Sequence, residues 1–295
     1  MSFPRAVASA PSSRLGRLSG YVALSRISNA PTVVTNVLAG AVLSGAALTD
    51  GRVALIAVAM VLLYTAGMYL NDLCDLRVDR LQRPHRPLPS GAVPLPAARA
   101  ITLGLFVAGL SLLWMVAPVA FASGLALVGL IVAYDLWHKT NPLSPLLMAA
   151  CRAMVYVVAF VALASRPTLA VAAPALLLAL YIVGLTYIAK TESRPALTGY
   201  WPFVLLILPA AYWTTPLHPL VAPLLVGYTA WVVYSASFIY RPARRDIGGA
   251  VGRLIAGVSL LDSLVIAASG HLAGAVLALA AFGLTLVLQR FVKGT

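Results

Sequence analysis

The chain has 295 residues, of which 61% are hydrophobic and only 10% are charged, and its mean hydropathy is +0.93. These values lie far outside the range of soluble globular domains and exclude an ordinary soluble enzyme. The formal net charge of +13 is also typical of nucleic-acid binding, but the basic residues are distributed between apolar runs along the chain, which argues against a nucleic-acid partner. Cys74 and Cys151 are too few for a disulfide framework.

Residues 1–20 are predicted to form a basic N-terminal arm, and residues 21–295 a single transmembrane domain. Apolar runs long enough to cross a bilayer, about 17–25 residues each, recur along that domain. They predict ten spanning helices, the last two forming a hairpin around Gly270. The predicted spans are 22–48, 52–73, 97–117, 119–137, 143–165, 168–190, 199–215, 218–240, 250–269 and 271–291.

The basic residues predict the orientation of these spans. In a ten-span topology, 18 of the 21 lysines and arginines fall on one side of the membrane. Cytoplasmic loops of membrane proteins carry an excess of such residues. The distribution therefore predicts a multi-pass protein of the cell (inner) membrane with both termini in the cytoplasm.

The most informative segment is 71–91, NDLCDLRVDRLQRPHRPLPSG, where the second apolar run ends. At about 100° per residue, four metal-competent side chains of this segment fall on one helical face. They are Asn71, Asp72, Asp75 and Asp79. Hard oxygen ligands grouped in this way suit Mg²⁺, and the guanidinium groups of Arg83 and Arg86 suit phosphate oxygens. The segment therefore predicts a Mg²⁺-assisted diphosphate site at a membrane surface.

This segment resembles the first aspartate-rich motif of the UbiA superfamily of membrane prenyltransferases. Arg26 with Pro31 resembles the Arg-x-x-x-x-Pro sequence of the family's first helix. Segment 134–139, Tyr-Asp-Leu-Trp-His-Lys, resembles the family's Tyr-Pro-x-x-Lys-Arg loop, with Asp135 in place of the proline. The resemblance implies an all-α helical bundle of nine transmembrane helices, and a tenth, C-terminal helix would then be additional.

The resemblance implies transfer of an isoprenyl group from an isoprenyl diphosphate to an acceptor, which stays unspecified, at the cytoplasmic membrane face with Mg²⁺ as cofactor. The implied catalytic residues are Asp72, Asp75, Asp79, Lys139 and Glu192. The implied metal ligands are Asn71, Asp72, Asp75, Asp79 and Glu192. The implied diphosphate-binding residues are Arg26, Arg83, Arg86, His138, Lys139, Lys190 and Arg194. The implied substrate pocket contains Asn36, Tyr69, Tyr134, Asp135, Tyr156 and Tyr187.

The second acidic motif of the family is altered in this chain. Where the family has Asp-x-x-x-Asp, segment 187–195 reads Tyr-Ile-Ala-Lys-Thr-Glu-Ser-Arg-Pro, a form that most resembles the bacterial EboC-like subgroup. Either Glu192 binds a metal through its lone carboxylate, or Lys190 and Arg194 contact the diphosphate and replace a second metal with fixed positive charge. A further alternative is a non-catalytic isoprenoid-lipid binding or transport component that retains the diphosphate pocket.

Two ionisable residues fall within predicted spans, where charges are costly and commonly functional. We expect Asp262 to pair with a polar group on a neighbouring helix. Arg152 either extends to the membrane surface or points into the cavity.

Overall fold

The computed structural model describes residues 14–139, 141–166, 168–192, 199–210, 221–240 and 245–292, and the regular structure in these residues is entirely helical. The helices, in chain order, are α1 (Arg14–Ser25), a 3₁₀ turn (Ile27–Asn29), α2 (Ala30–Leu43), α3 (Gly51–Gln82), α4 (Leu95–Val116), α5 (Pro118–Trp137), α6 (Ser144–Leu163), α7 (Ala172–Lys190), α8 (Trp201–Ile207), α9 (Val221–Tyr240), α10 (Ile247–Ala268) and α11 (Leu272–Phe291).

Eight of these helices, α3 to α7 and α9 to α11, are long and apolar enough to cross a membrane. The apolar segments Ile27–Leu43 and Trp201–Ala210 are shorter. They coincide with the first and seventh predicted spans, and residues 211–215 of the seventh span lie outside the described residues. The predicted all-helical, multi-pass membrane fold is thus confirmed, whereas the count of nine or ten crossings stays a prediction.

Two of the predicted boundaries differ from the structure. Helix α3 continues nine residues beyond the predicted end at residue 73 and stops at Gln82, because Arg83 precedes a proline, a position that disfavours helical backbone. The first predicted span is interrupted at Arg26, whose φ of 44° and ψ of 38° separate α1 from the following helix. Both differences concern residues of the candidate site.

Helices α2 and α10 form the centre of the bundle. In the most apolar stretch of α10, 78% of the residues are buried, compared with 17% in α4, whose outer face is exposed. Helix α2 packs against α3, α6, α10 and α11. It approaches α6 so closely that a Cβ atom on Gly40 would lie 2.6 Å from the carbonyl oxygen of Tyr156. Small residues at such crossings are typical of membrane bundles.

A buried polar network joins α2, α6 and α10. The fully buried carboxylate of Asp262 on α10 accepts hydrogen bonds from Thr35 and Asn36 of α2 and from Tyr156 of α6. The Asn36 Nδ2 to Asp262 Oδ2 distance is 2.8 Å. The predicted pairing of Asp262 with a neighbouring helix is therefore confirmed.

Candidate active site

The three aspartates of the first motif lie together on the C-terminal turns of α3. Positions i, i+3 and i+7 share one face of a helix, and this face turns inward, where the exposed fractions of Asp72, Asp75 and Asp79 are only 8%, 9% and 4%. Buried carboxylates require compensating partners. Here each of them contacts a cationic side chain.

Two arginines bind the first and last of these carboxylates. Arg26 Nη2 lies 3.2 Å from Asp72 Oδ1. Arg86 Nη1 lies 3.3 Å from the same oxygen and 2.8 Å from Asp79 Oδ2. Arg86 thus bridges Asp72 and Asp79 and draws the loop after α3 back onto the helix.

The middle carboxylate is bound by the loop that follows α5. Lys139 Nζ lies 2.7 Å from Asp75 Oδ1, and His138 Nε2 lies 3.4 Å from it. The hydrogen bond with Asp75 is the main reason why the pKa of His138 is raised above its usual value. The ring of Tyr134 stacks on His138 with 5.1 Å between centroids. The contacts favour the charged imidazolium.

Arg26 reaches Asp72 from a strained backbone. It is the only non-glycine residue with a positive φ in the described part of the chain, and the left-handed region costs an L-residue about 1–2 kcal/mol. The Tyr64 hydroxyl donates a 3.2 Å hydrogen bond to the Arg26 carbonyl oxygen, and Arg26 Nη1 lies 3.6 Å from Met68 Sδ. These contacts and the ion pair with Asp72 hold the conformation in place.

Asn71 and Asp135 form a second polar pair beside the aspartates. Asn71 Nδ2 donates to Asp135 Oδ1 over 3.0 Å, so the amide oxygen of Asn71 is left for another ligand. Asp135 Oδ2 is buried and has no hydrogen-bond partner in the described residues. A buried acceptor without a partner is costly, and a bound ligand with a donor group would satisfy it.

The donor set at this helix end fits Mg²⁺ by its chemistry, because three carboxylates and an amide oxygen are hard ligands. In the described ranges, no group of three or more His, Cys, Asp and Glu side chains is arranged to hold a metal ion. The reason is that Asp72, Asp75 and Asp79 are turned toward arginine, lysine and histidine. Binding of a cation would exchange these contacts.

Two cavities with shared lining residues adjoin the partners of the motif: Arg26, which pairs with Asp72, borders one of them, and Asp135, which pairs with Asn71, borders the other. The mixed cavity, of about 270 Å³, is bordered by Arg26, Asn29, Thr32 and Thr186 together with apolar side chains. The apolar cavity, of about 100 Å³, continues between α3, α5 and α6. Both are lined by Tyr64, Met68, Tyr134, Met148 and Arg152. A polar entrance that continues into an apolar space suits an amphipathic ligand.

A third, polar cavity of about 750 Å³ lies on the other side of Arg86. Glu192, just after α7, and Arg83 border it together with Arg86, so the first motif and the lone acid of the second motif meet at one cavity. Arg253 of α10 and Arg290 of α11 complete its basic wall.

Lys190 lies elsewhere. Its ammonium group donates to the carbonyl oxygens of His138 and Asn141, over 3.0 and 3.3 Å, and to the Ser144 hydroxyl. Lys190 therefore fastens the loop that carries His138 and Lys139, and it does not face the polar cavity. Arg194, the other basic residue of this motif, lies outside the described residues.

The predicted pocket residues are dispersed. Tyr134 borders the mixed and apolar cavities, and Asp135 borders the apolar one. The Tyr69 hydroxyl instead donates to the carbonyl oxygen of Tyr21 over 2.9 Å and holds α1. Tyr187 packs on the ring of Trp201, with 4.4 Å between centroids.

Asn36 and Tyr156, also predicted for the pocket, bind Asp262 at the centre of the bundle. The Asn36 amide nitrogen and the Tyr156 hydroxyl thus satisfy the intramembrane carboxylate, whereas Asn36 Oδ1 is buried without a hydrogen-bond partner in the described residues. A pocket role for these two residues stays a prediction.

Sequence reasoning missed several residues of the site. Met68 and Tyr64 lie four and eight positions before Asp72, on the same helical face, so helical periodicity identifies them. Gln289 of α11 donates to Asn29 Oδ1 over 3.0 Å, beside Arg26, but 260 residues separate the two. No local pattern indicates that contact.

The sequence profile of the UbiA prenyltransferase family matches residues 33–250, which include the acidic end of α3, the His138 loop and α7. The chain belongs to this family. The predicted family resemblance is thereby confirmed, and α11 lies beyond the matched residues.

Curated relatives share shorter stretches. A digeranylgeranylglyceryl phosphate synthase of Methanoculleus marisnigri is 29% identical over 125 residues, covering 42% of this chain and 44% of the relative. The enzyme of the same name from Ignicoccus hospitalis is 37% identical over 95 residues, covering 32% and 30%. The chain thus spans less than half the length of these relatives.

Solved structures extend the similarity of fold. A UbiA homologue from Aeropyrum pernix superposes with a TM-score of 0.63 at 19% identity, over 90% of this chain and 98% of the other. A UbiA homologue from Archaeoglobus fulgidus gives a TM-score of 0.59 at 14% identity, over 86% and 99%. The bundle described above is the fold of these proteins.

Proposed function

We propose that the protein transfers an isoprenyl group from an isoprenyl diphosphate to an acceptor at the membrane surface, with Mg²⁺ as cofactor. One observation carries the proposal: Arg26, which pairs with the buried Asp72 of the aspartate cluster, borders the mixed cavity, and this cavity shares five lining residues with the apolar one. Phosphate groups need the charged end, and an isoprenyl chain needs the apolar end. A single ligand with both parts is an isoprenyl diphosphate.

In this proposal Asp72, Asp75 and Asp79, with the Asn71 amide oxygen, are the residues that would hold Mg²⁺. A cation held there would supply positive charge for the leaving pyrophosphate. Arg86 and Lys139, released from their carboxylates, donate to phosphate oxygens with charge-assisted hydrogen bonds. Donors placed where charge develops lower the barrier most.

In this proposal Asp135 is the base that acts on the acceptor. The carbon–oxygen bond of the donor breaks, and pyrophosphate leaves with the electron pair. The acceptor nucleophile supplies the pair for the new bond, and the unpartnered Asp135 Oδ2 accepts the proton that the acceptor loses. The ring of Tyr134 lines the same space and faces the transient cation.

Pyrophosphate release tests the reaction. The purified protein in lipid nanodiscs is incubated with isoprenyl diphosphates of different lengths, with and without Mg²⁺ and a membrane lipid extract. Geranylgeranyl diphosphate comes first, since the name of the relatives contains that group. We expect release that requires Mg²⁺ and rises with the extract. No release from any donor would contradict the proposal.

The altered second motif favours one other candidate, a binding or transport component without catalysis. The observation behind it is that Glu192 is the single acid at the end of α7 and is exposed. Such a protein would bind the donor with Mg²⁺ but release no pyrophosphate. Binding of a non-hydrolysable donor analogue, measured beside turnover, separates the two candidates.

We further propose that the protein lies in the cell (inner) membrane with both termini cytoplasmic. This rests on the charge distribution. Reporter fusions at residue 270 and at the C-terminus should lie on opposite sides of the membrane. Reporters on the same side would mean that one of the last two helices does not cross.

A further inference from the structure

Arg152 of α6 differs from the other cations of the site. The ion pairs within 4 Å in the described residues bind Arg26 and Arg86 to aspartates but do not include Arg152. Its Nη2 donates to the Thr32 hydroxyl, and its Nε is buried without a hydrogen-bond partner. The carboxylate of Asp262, which is in electrostatic range, is occupied by side chains of α2 and α6.

Asp262 compensates part of the charge of Arg152 at a distance, but the buried Nε group without a hydrogen bond is costly inside a membrane bundle. Arg152 lines both the mixed and the apolar cavity. In the mixed cavity, Arg26 is paired with Asp72, and Asn29, Thr32 and Thr186 are neutral. The apolar cavity is also bordered by Asp135, which forms no ion pair with Arg152 within 4 Å in the described residues. The cavity therefore presents a cation that a ligand can neutralise.

We propose that Arg152 forms the binding site for an anionic group of the acceptor, a carboxylate or a phosphate. The inference rests on the proposed transferase function and specifies its acceptor. We assign the anion to the acceptor, and not to the donor diphosphate, because Arg152 lies far along α6 from the phosphate-binding loop. Arg152 lies about 12 Å along α6 from Ser144, at 1.5 Å per residue, and Ser144 contacts the loop that holds the phosphate-binding Lys139.

The position of Arg152 also has an electrostatic consequence. When the donor ionises, positive charge develops on its allylic carbon within the cavities that Arg152 lines. A guanidinium that no carboxylate contacts within 4 Å opposes that charge, and the anion of a bound acceptor reduces the opposition. Arg152 thereby couples ionisation to acceptor binding and suppresses attack by water, which would yield the prenyl alcohol and pyrophosphate.

The test uses two pairs of acceptor probes that differ in the anion alone. One pair is a monoprenyl glyceryl ether with and without its phosphate, and the other is a hydroxyaromatic carboxylic acid and its methyl ester. Their affinities are measured by calorimetry in nanodiscs saturated with Mg²⁺ and a non-hydrolysable donor analogue. The variants are Arg152→Met, the charge-retaining Arg152→Lys, and Arg166→Met as control, since Arg166 is exposed in the loop after α6. Thermal melting of each variant monitors folding.

We expect the wild type to bind the anionic member of at least one pair about ten- to a hundredfold more tightly than the neutral member, as one charge-assisted hydrogen bond provides. Arg152→Met should abolish this preference, Arg152→Lys should keep part of it, and Arg166→Met should keep all of it. Affinity for the donor analogue should not change. Pyrophosphate release without acceptor should rise in Arg152→Met.

Equal affinity of the wild type for both members of each pair would overturn the assignment, whether or not Arg152→Met folds. So would a loss of donor-analogue affinity in Arg152→Met as large as the loss of acceptor affinity, because Arg152 would then belong to the donor site. Failure of the proposed function looks different, since the wild type would release no pyrophosphate from any donor.

Discussion

The ends of α3 and α7 carry the two acidic motifs of the family, and they are built in opposite ways. At the end of α3, Asp72, Asp75 and Asp79 are buried, and each contacts a cation. At the end of α7, Glu192 is exposed, and Lys190 is turned onto a neighbouring loop. The acids at the end of α3 are thus held by ion pairs, whereas the acid at the end of α7 is exposed to solvent.

The difference indicates how each end responds to ligands. The cations that would bind phosphate already lie beside the carboxylates that would bind a metal, so ligand binding exchanges partners without collecting distant side chains. Preorganisation of this kind raises affinity because fewer side chains have to be ordered on binding. We therefore expect the end of α3 to contribute much more to donor binding than the end of α7.

The largest expected effect is at α3. Asp75→Ala removes the carboxylate that Lys139 and His138 share, and several charge-assisted contacts are lost together. Mg²⁺-dependent binding of a donor analogue should weaken by more than about a hundredfold. Asp50→Ala is the matched control, since this acid is at the opposite end of α3 and pairs with Arg52. Near-normal binding in Asp75→Ala would remove the basis of the site.

A smaller effect is expected at α7. Glu192→Gln should raise the Mg²⁺ concentration needed for donor binding by about tenfold, as the loss of a single carboxylate contact implies. Asp246→Asn is its control, because Asp246 borders the same cavity and an asparagine still caps α10. A Glu192→Gln curve that coincides with wild type would leave the site with the first motif alone.

Lys190 belongs to the second motif but contacts the loop that carries Lys139, so its variants test whether the second motif supports the first. Lys190→Met should weaken donor binding a few-fold by loosening the loop that carries Lys139. Ser144→Ala, which removes one of the oxygens that Lys190 contacts, should reproduce part of this loss. Titration of the donor analogue against both variants and their combination measures the coupling. A strong effect of Lys190→Met with none from Ser144→Ala would instead mean that Lys190 contacts the diphosphate.

The smallest expected effect concerns backbone strain beside α3. Arg26→Ala and Arg26→Gly both remove the ion pair with Asp72, but only glycine adopts a φ of 44° without penalty. Arg26→Gly should therefore be more stable than Arg26→Ala by about 1 kcal/mol. Thermal melting in the same detergent compares them. A more stable alanine variant would show that the turn relaxes when the arginine is lost.

The sequence predicts the fold and the first motif well because both follow from short-range patterns. Apolar runs define the helices, and the spacing of Asp72, Asp75 and Asp79 places them on one face whatever the tertiary structure. The partners of these aspartates were predictable in type, since basic residues were expected at a diphosphate. Which cation meets which carboxylate depends on how helices pack.

Other features escaped prediction for physical reasons. The hydrogen bonds that Asn36 and Tyr156 donate to the buried Asp262 were not predicted, because the sequence does not show which helices surround a carboxylate. Tyr64 was recoverable from periodicity. The contact of Gln289 with Asn29 depends on the docking of α11 against the start of α2.

The length of α3 determines the depth of the site in the membrane. Its 32 residues extend about 48 Å, whereas the hydrocarbon layer is about 30 Å thick. Asn71 lies about 30 Å from the start of the helix, a distance equal to the thickness of the hydrocarbon layer. The length of the apolar part therefore sets both the position and the facing of the aspartates. One residue inserted there would shift them by about 1.5 Å along the helix and rotate them by about 100°. The rotation would turn them away from Arg26, Arg86 and Lys139 together.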